Sequence, residues 1–229
     1  MNKFYISRRQ ALMEGFDSLF ADAESLLSPP CSPDDAHEIL VQARPEFEVL
    51  IPVLPYIGGH ENPLTDHLVM SARFMAFFRV MRRFGHSPQQ TYFMLYRIVE
   101  QWLASGRVAS SRVADDYRFS PLYLDHLREH ARRSQQHQYP ADWVFNVVEA
   151  DGPEYDYGLD YVECGLCKFF REQGEASLIP FMCALDYPLA RACGLNLKRS
   201  ASLGDGQSRC DFRLSRRDTD MTMQDIGIP

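Results

Sequence analysis

The sequence contains no run approaching the ~18 consecutive apolar residues that span a bilayer. Its most apolar stretch, Phe74 to Met81, carries Arg79 and runs straight into Arg82 and Arg83. A basic surplus is also missing. Lys and Arg number 24 against 31 Asp and Glu, a net charge of −7, so the positive face of a nucleic-acid binder is not expected. The cluster from Arg128 to Arg133 is diluted by Glu129 and reads as a solvated helix face. Near the N-terminus, Lys3, Arg8, Arg9, Glu14 and Asp17 interrupt any apolar core of a secretory signal, so a cytoplasmic location is expected. There is no Walker loop, no G-x-G-x-x-G after a strand, no H-E-x-x-H and no G-x-S-x-G. No cofactor and no metal are therefore expected, and enzyme chemistry would have to rest on a looser constellation of side chains. Internal repeats, low-complexity tracts and a clean linker are lacking too. One domain over residues 1–229 is the simplest organisation.

What is present begins with one amphipathic helix expected over about the first thirty residues. Leu12, Phe16, Leu19 and Phe20, extended by Ala23, Leu26 and Leu27, recur at helical spacing until Ser28-Pro29-Pro30. Ser32-Pro33-Asp34-Asp35 starts a helix expected to reach about Ala43, with Pro45 and Pro52 bracketing a separate apolar segment. Paired glycines make Pro55 to Pro63 a structured loop. Helices follow over Thr65 to Phe84, from Pro88 to about Ala104 behind a Ser87 cap, and from Pro121 to about Gln136 behind Ser120. The pattern changes at Tyr139-Pro140. Trp143 to Glu149 and Tyr157 to Cys164 are β-branched and aromatic, and Asp151-Gly152-Pro153 lies between them. Gly165 to Gln173 and Ala176 to Cys193 read as helices, with Pro180 and Pro188 complicating the second. Leu197 to Leu203 and Arg209 to Leu214 flank Gly204-Asp205-Gly206-Gln207 as a second hairpin. The class is α+β: a helical part over 1–138, a small antiparallel sheet of about four strands within 139–217, and a loose polar tail over 218–229.

The candidate chemistry is concentrated late in the chain. Five of six cysteines, Cys164, Cys167, Cys183, Cys193 and Cys210, fall in the last third; Cys31 is the exception. In a reducing compartment these are thiols. Cys164-Gly165-Leu166-Cys167 could be half of a zinc site completed by Cys183 and Cys210, although no second C-x-x-C follows. Cys167 reads more simply as packing at a strand–helix junction. Cys183 and Asp186 lie three apart and would share a helix face. The carboxylate would raise the thiol pKa, yet could serve as proton acceptor. Cys210 and Phe212 face one side of the last strand and Asp211 the other; whether Asp211 joins the site is open. His126 and His130, four apart, lack a third ligand in register. His60 and Asn62, in the Gly58-Gly59 loop, are candidate contributors because loops on rigid scaffolds carry function. Lys198, Arg199 and Arg209 could hold a substrate carboxylate.

These residues carry a resemblance. Tyr161-Val162-Glu163-Cys164-Gly165-Leu166-Cys167, then Leu178 to Asp186, Ser202-Leu203-Gly204-Asp205-Gly206 and Cys210-Asp211-Phe212 resemble the L-2-amino-thiazoline-4-carboxylic acid hydrolase family. The segment Pro55-Tyr56-Ile57-Gly58-Gly59 with Asn62-Pro63 and the helix pair around Gly85-His86-Ser87 are similar to its helical part. The family implies ring opening: water adds to C2 of the aminothiazoline carboxylate, the C–S bond breaks, and N-carbamoyl-L-cysteine forms. It maps its cysteine to Cys183, its aspartate to Asp186 and its terminal motif to Cys210, Asp211 and Phe212. This chain departs from the expected Thr-Leu-Ala-Gly at Ser200-Ala201-Ser202-Leu203-Gly204.

The resulting expectation is a hydrolase acting on a small carboxylate-bearing heterocycle or C–N bond. Cys183 would be nucleophile or thiol ligand, and Asp186 the base or the group that orients the amidine. Cys210 and Asp211 would complete the catalytic set. Arg199, His60, Asn62 and Cys164 would contact the substrate. A small molecule is the expected partner, without nucleic acid or membrane, and a homodimer is allowed. Two other readings stay open: a non-catalytic ligand-binding or scaffold protein of a biosynthetic pathway, and a structural zinc protein.

Overall fold

A computed structural model describes residues 3–105 and 117–216. The expected loose tail over 218–229 lies outside the described residues. The chain divides into two compact units, one of Met1–Val108 with Phe169–Phe181, the other of Ala109–Lys168 with Met182–Pro229.

The first unit is helical: α1 (Lys3–Ile6), α2 (Arg9–Phe20), α3 (Ala23–Leu27), α4 (Pro33–Leu50), α5 (Leu64–Arg83) and α6 (Pro88–Ala104). The opening stripe is not one helix but three short ones, and it still buries Met13, Phe16, Leu19, Phe20, Ala23 and Leu27. α4 runs past its expected end at Ala43, straight through Pro45. Proline there forfeits one backbone hydrogen bond, but Ala36, Ile39, Ala43, Phe47 and Leu50 form one buried stripe, and burial of that face outweighs a single lost bond. α5 is apolar nearly all round and closes with Gly85 at φ 84°. α6 begins with a full Ser87/Gln90 capping box.

The later segment of this unit is fixed by charge. Glu175, 4% exposed, takes Arg79 Nε at 3.0 Å and both guanidinium ends of Arg82 at 3.0 Å. Glu46 also takes Arg79 and Arg83, at 3.3 and 2.8 Å. Phe181 packs beside Phe78 and Tyr92.

The second unit holds the sheet. α7 (Pro121–Ser134), capped by Ser120, precedes β1 (Val144–Glu149) and β2 (Tyr157–Glu163). α8 (Gly165–Glu172) and α9 (Ile179–Ala184) each cross the boundary between the units along the chain, and α10 (Asp186–Ala192), β3 (Leu195–Lys198) and β4 (Cys210–Arg216) follow. All pairings are antiparallel, and the strand order is β1-β2-β4-β3. β4 therefore lies between β2 and β3, joining the two hairpins edge to edge. β3 is shorter than expected and ends at Lys198; a turn at Leu203–Asp205, closed by Gly206 at φ 80°, leads to β4.

The register puts Tyr157 opposite Leu214, Leu159 opposite Phe212 and Tyr161 opposite Cys210. These side chains share one face with Leu195, Leu197 and Phe145, and that face is covered by α7 and α10 residues including Tyr123, Leu127, Tyr187 and Ala190. The opposite face carries Asp160, opposite Asp211, with Asp160 paired to Arg213 at 2.8 Å.

Candidate active site

The expected single helix from Ala176 to Cys193 is broken into a 3-10 turn, α9 and α10. Pro188 has no N–H to give the Ala184 carbonyl, so the α ladder cannot cross Leu185 intact. Cys183 ends up one residue from the end of α9, and Asp186 opens α10. The break displaces them less than it might, because Leu185 keeps helical backbone angles (φ −71°, ψ −12°).

Arg199, just past β3, reaches back to this junction. Its Nη1 donates to Asp186 Oδ2 at 2.9 Å, and its Nη2 donates to the Cys183 carbonyl at 3.2 Å. The guanidinium carbon sits 5.4 Å from the Tyr187 ring and 5.4 Å from the Phe212 ring. Side-chain exposure is 8% for Arg199 and 20% for Asp186. Burial works against the Arg199 charge, but Asp186, Cys183, Tyr187 and Cys210 together outweigh it and its pKa is raised. The sequence-expected carboxylate clamp is thus already joined to the sequence-expected base.

Around this ion pair stand neutral, buried groups. Burial pushes the Cys183 thiol up, and Asp186 and Cys164 push it further; Arg199 and the Ser202 hydroxyl act the other way. The Cys210 thiol is raised by burial, although Leu203 N donates to its Sγ at 3.2 Å. Cys164 stands before α8 and accepts from Cys167 N at 3.4 Å. Its thiol is pushed up by the Cys167 side chain first and by burial second. Tyr161 is raised by burial and then by Asp186, and it also feels Cys164 and Cys210. Cys183, Asp186, Arg199, Cys210 and Cys164 are therefore gathered by one unit.

Other candidates are placed elsewhere or held by other partners. Asp211 lies on the far face of the sheet from Cys210. Its carboxylate takes Ser200 N at 2.9 Å, Ala201 N at 2.6 Å and the Ser200 hydroxyl. Burial opposes its charge, but these donors win and its pKa is lowered. Asp211 fastens the start of the β3–β4 connection, and so holds the chain just beyond Arg199. His60 and Asn62 belong to the first unit. His60 meets Arg8 and the edge of Phe4. Asn62 donates to the Ile57 carbonyl at 2.6 Å and accepts from Leu64 N at 2.9 Å, clasping the glycine loop. Cys167 is buried as packing, at 2% exposed.

No site role is expected from the sequence for Tyr161, Tyr187 or Ser202, although Tyr161 and Ser202 stand in the runs that carry the resemblance. Tyr161 becomes visible only through its pairing with Cys210 across β2 and β4, strands that are not successive in the chain. Ser202, 2% exposed, opens one of the runs that carry the resemblance, but no site role is expected of it.

Among the described residues, no group of three or more His, Cys, Asp or Glu side chains is arranged to hold a metal ion. Cys164, Cys167, Cys183 and Cys210 do not form such a group. No described helix is long and apolar enough to cross a membrane. Searches of curated proteins and of solved structures returned no match. The model of the L-2-amino-thiazoline-4-carboxylic acid hydrolase family does match, over residues 66–214, a span that includes Cys164, Cys183, Asp186, Arg199 and Cys210. The chain belongs to the L-2-amino-thiazoline-4-carboxylic acid hydrolase family.

Proposed function

We propose that this protein hydrolyses a small carboxylate-bearing heterocycle or C–N bond, in the manner of the ring opening of an L-2-amino-thiazoline-4-carboxylate. The observation that carries the proposal is the Arg199–Asp186 ion pair seated against Cys183. An amino-thiazoline carboxylate bears a cationic amidine and an anionic carboxylate close together. A fixed anion and cation complement such a dipolar ligand, and the low local dielectric strengthens both attractions.

Asp186 is the base. It takes a proton as water adds to the cationic amidine carbon; the ring C–S bond breaks, the leaving sulfur receives that proton, and the added hydroxyl loses its own proton to solvent as the carbonyl forms. The raised Cys183 thiol favours this direct addition over a resting thiolate, because the unassisted thiolate is scarce near neutral pH. In the covalent variant Asp186 takes the Cys183 proton instead and the sulfur adds to the same carbon; the ring C–S bond then breaks as Asp186 passes that proton to the ring sulfur, and water displaces Cys183, one of its protons returning to the thiol and the other leaving to solvent as the carbonyl forms.

The test is turnover of L-2-amino-thiazoline-4-carboxylate by mass detection of N-carbamoyl-L-cysteine. Asp186→Asn should abolish it, while Cys183→Ala should leave measurable turnover under direct addition and none under the covalent variant. Undiminished turnover in Asp186→Asn, or none in the intact protein, would sink the proposal.

A further inference from the structure

Cys164-Gly165-Leu166-Cys167 sets two thiols about a helix start, and the proposed hydrolysis gives neither of them a step. Cys164 stands immediately before α8, and Cys167 lies in its first turn. Three residues along a helix separate Cα atoms by about 5 Å, inside the range of roughly 4.4–6.8 Å over which a disulfide closes. Cys167 N donates to Cys164 Sγ at 3.4 Å. The first sulfur is therefore turned over the helix start, toward the second cysteine.

The turn that carries the pair is held from two sides. A Cβ on Gly165 would meet the Ala141 carbonyl and the Trp143 ring, each at 2.6 Å. Only glycine lets the helix start lie this close to the segment ahead of β1. Lys168 ties the end of the same turn to the Pro140 and Asp142 carbonyls, both at 2.8 Å. A dithiol held in this way has already given up much of the freedom that closing a disulfide removes.

The two thiols differ in access. Cys164 is half-buried, and Cys167 is 2% exposed. A small disulfide therefore meets Cys164 first, and Cys167 is placed to resolve the mixed disulfide. The Cys167 side chain and burial raise the Cys164 thiol. That slows the opening attack near neutral pH, and it leaves no stabilised thiolate there to favour the reduced form.

We infer that Cys164 and Cys167 are a reversible dithiol–disulfide site, which exchanges with the disulfide of an oxidised low-molecular-weight thiol such as glutathione. The Cys164 thiolate attacks one sulfur of RS–SR, that S–S bond breaks, and RS⁻ leaves and takes up the proton that Cys164 released. The Cys167 thiolate then attacks Cys164 Sγ and expels the second RS⁻, which takes up the Cys167 proton. Two protein thiols are oxidised to one disulfide, and one RS–SR is reduced to two RSH. Nothing in this site depends on the hydrolase reading.

The tryptic peptide over 134–168 holds Cys164 and Cys167 and no other cysteine. The intact protein is equilibrated in glutathione buffers of increasing oxidised fraction at about pH 8, where more thiolate is present. It is then quenched with acid, alkylated with N-ethylmaleimide under denaturation, digested and weighed. The 134–168 peptide should lose both alkyl groups together and emerge two hydrogens lighter than its reduced form, without bound glutathione. Cys193, half-buried but with no second cysteine in its turn, is the control. Its glutathione adduct should need an oxidised fraction about tenfold or more higher, because its exchange has no intramolecular second step. Cys167→Ser should stop at one glutathione on Cys164, and dithiothreitol should restore both alkyl groups in the intact protein. A 134–168 peptide still doubly alkylated where Cys193 is modified overturns the inference. So does a glutathione adduct that persists in the intact protein, a disulfide from either cysteine to Cys183 or Cys210, or a change that dithiothreitol does not reverse.

Discussion

Replacing Asp186 with asparagine removes one charge at nearly constant shape, and two consequences follow with opposite signs. The first is a stability loss. Arg199 is 8% exposed and Asp186 20% exposed at the side chain, so the substitution leaves a largely buried cation without its anion. Breaking a fully buried pair costs about 3–5 kcal/mol. Here asparagine can still accept a hydrogen bond, the Cys183 carbonyl remains in place, and two aromatic rings flank the guanidinium. Those contacts reduce the expected loss to about 2–3 kcal/mol, read as a lower urea midpoint at unchanged m-value. The second consequence concerns Cys183. Asp186 raises that thiol and Arg199 lowers it; removing the carboxylate leaves the cation unopposed, so the folded-state pKa falls. Alkylation of Cys183 by iodoacetamide, followed by peptide mass mapping between pH 7 and 9, should therefore accelerate even as turnover disappears. Cys31, buried in the other unit, serves as the control for faster alkylation through global opening. If Cys183 alkylation slows or stays constant relative to Cys31, the placement of Asp186 as an electrostatic neighbour that suppresses the thiolate is refuted.

Other expectations follow from the ion pairs and caps. Glu175→Ala should cost about 2 kcal/mol, because it removes the buried carboxylate shared by Arg79 and Arg82 and leaves Arg79 with Glu46 alone; an equilibrium denaturation midpoint equal to that of the intact protein would contradict this. Asp211 has a depressed folded-state pKa, so its contribution is present above the ordinary carboxylate range and is lost as pH falls through the folded value. The stability difference between the intact protein and Asp211→Asn, about 1–2 kcal/mol near neutral pH, should therefore shrink below about pH 4. A difference that grows on acidification would mean the donors from Ser200 and Ala201 do not hold the charged form.

The sequence by itself determined most of the elements. Helix starts at Pro33, Pro88 and Pro121 were legible because Ser32, Ser87 and Ser120 cap them through local bonds that need nothing distant. The α+β class and the hairpin strands were legible for the same reason: alternation and turn residues are written within a few positions. Helix continuity was less legible. Nothing local says that Pro45 is tolerated inside α4, where a long buried stripe outweighs one missing bond, while Pro188 breaks the run after Cys183.

What only the tertiary structure decided is which groups face one another. Inserting β4 between β2 and β3 sets Tyr161 against Cys210 and sends Asp211 to the opposite face. The pleat then makes each assignment exclusive, since neighbouring residues of a strand point to opposite sides. The Arg199–Asp186 closure likewise arises from long-range packing of α10 on that sheet. A one-dimensional pattern records that a residue alternates or repeats; only the packed sheet records what stands across from it.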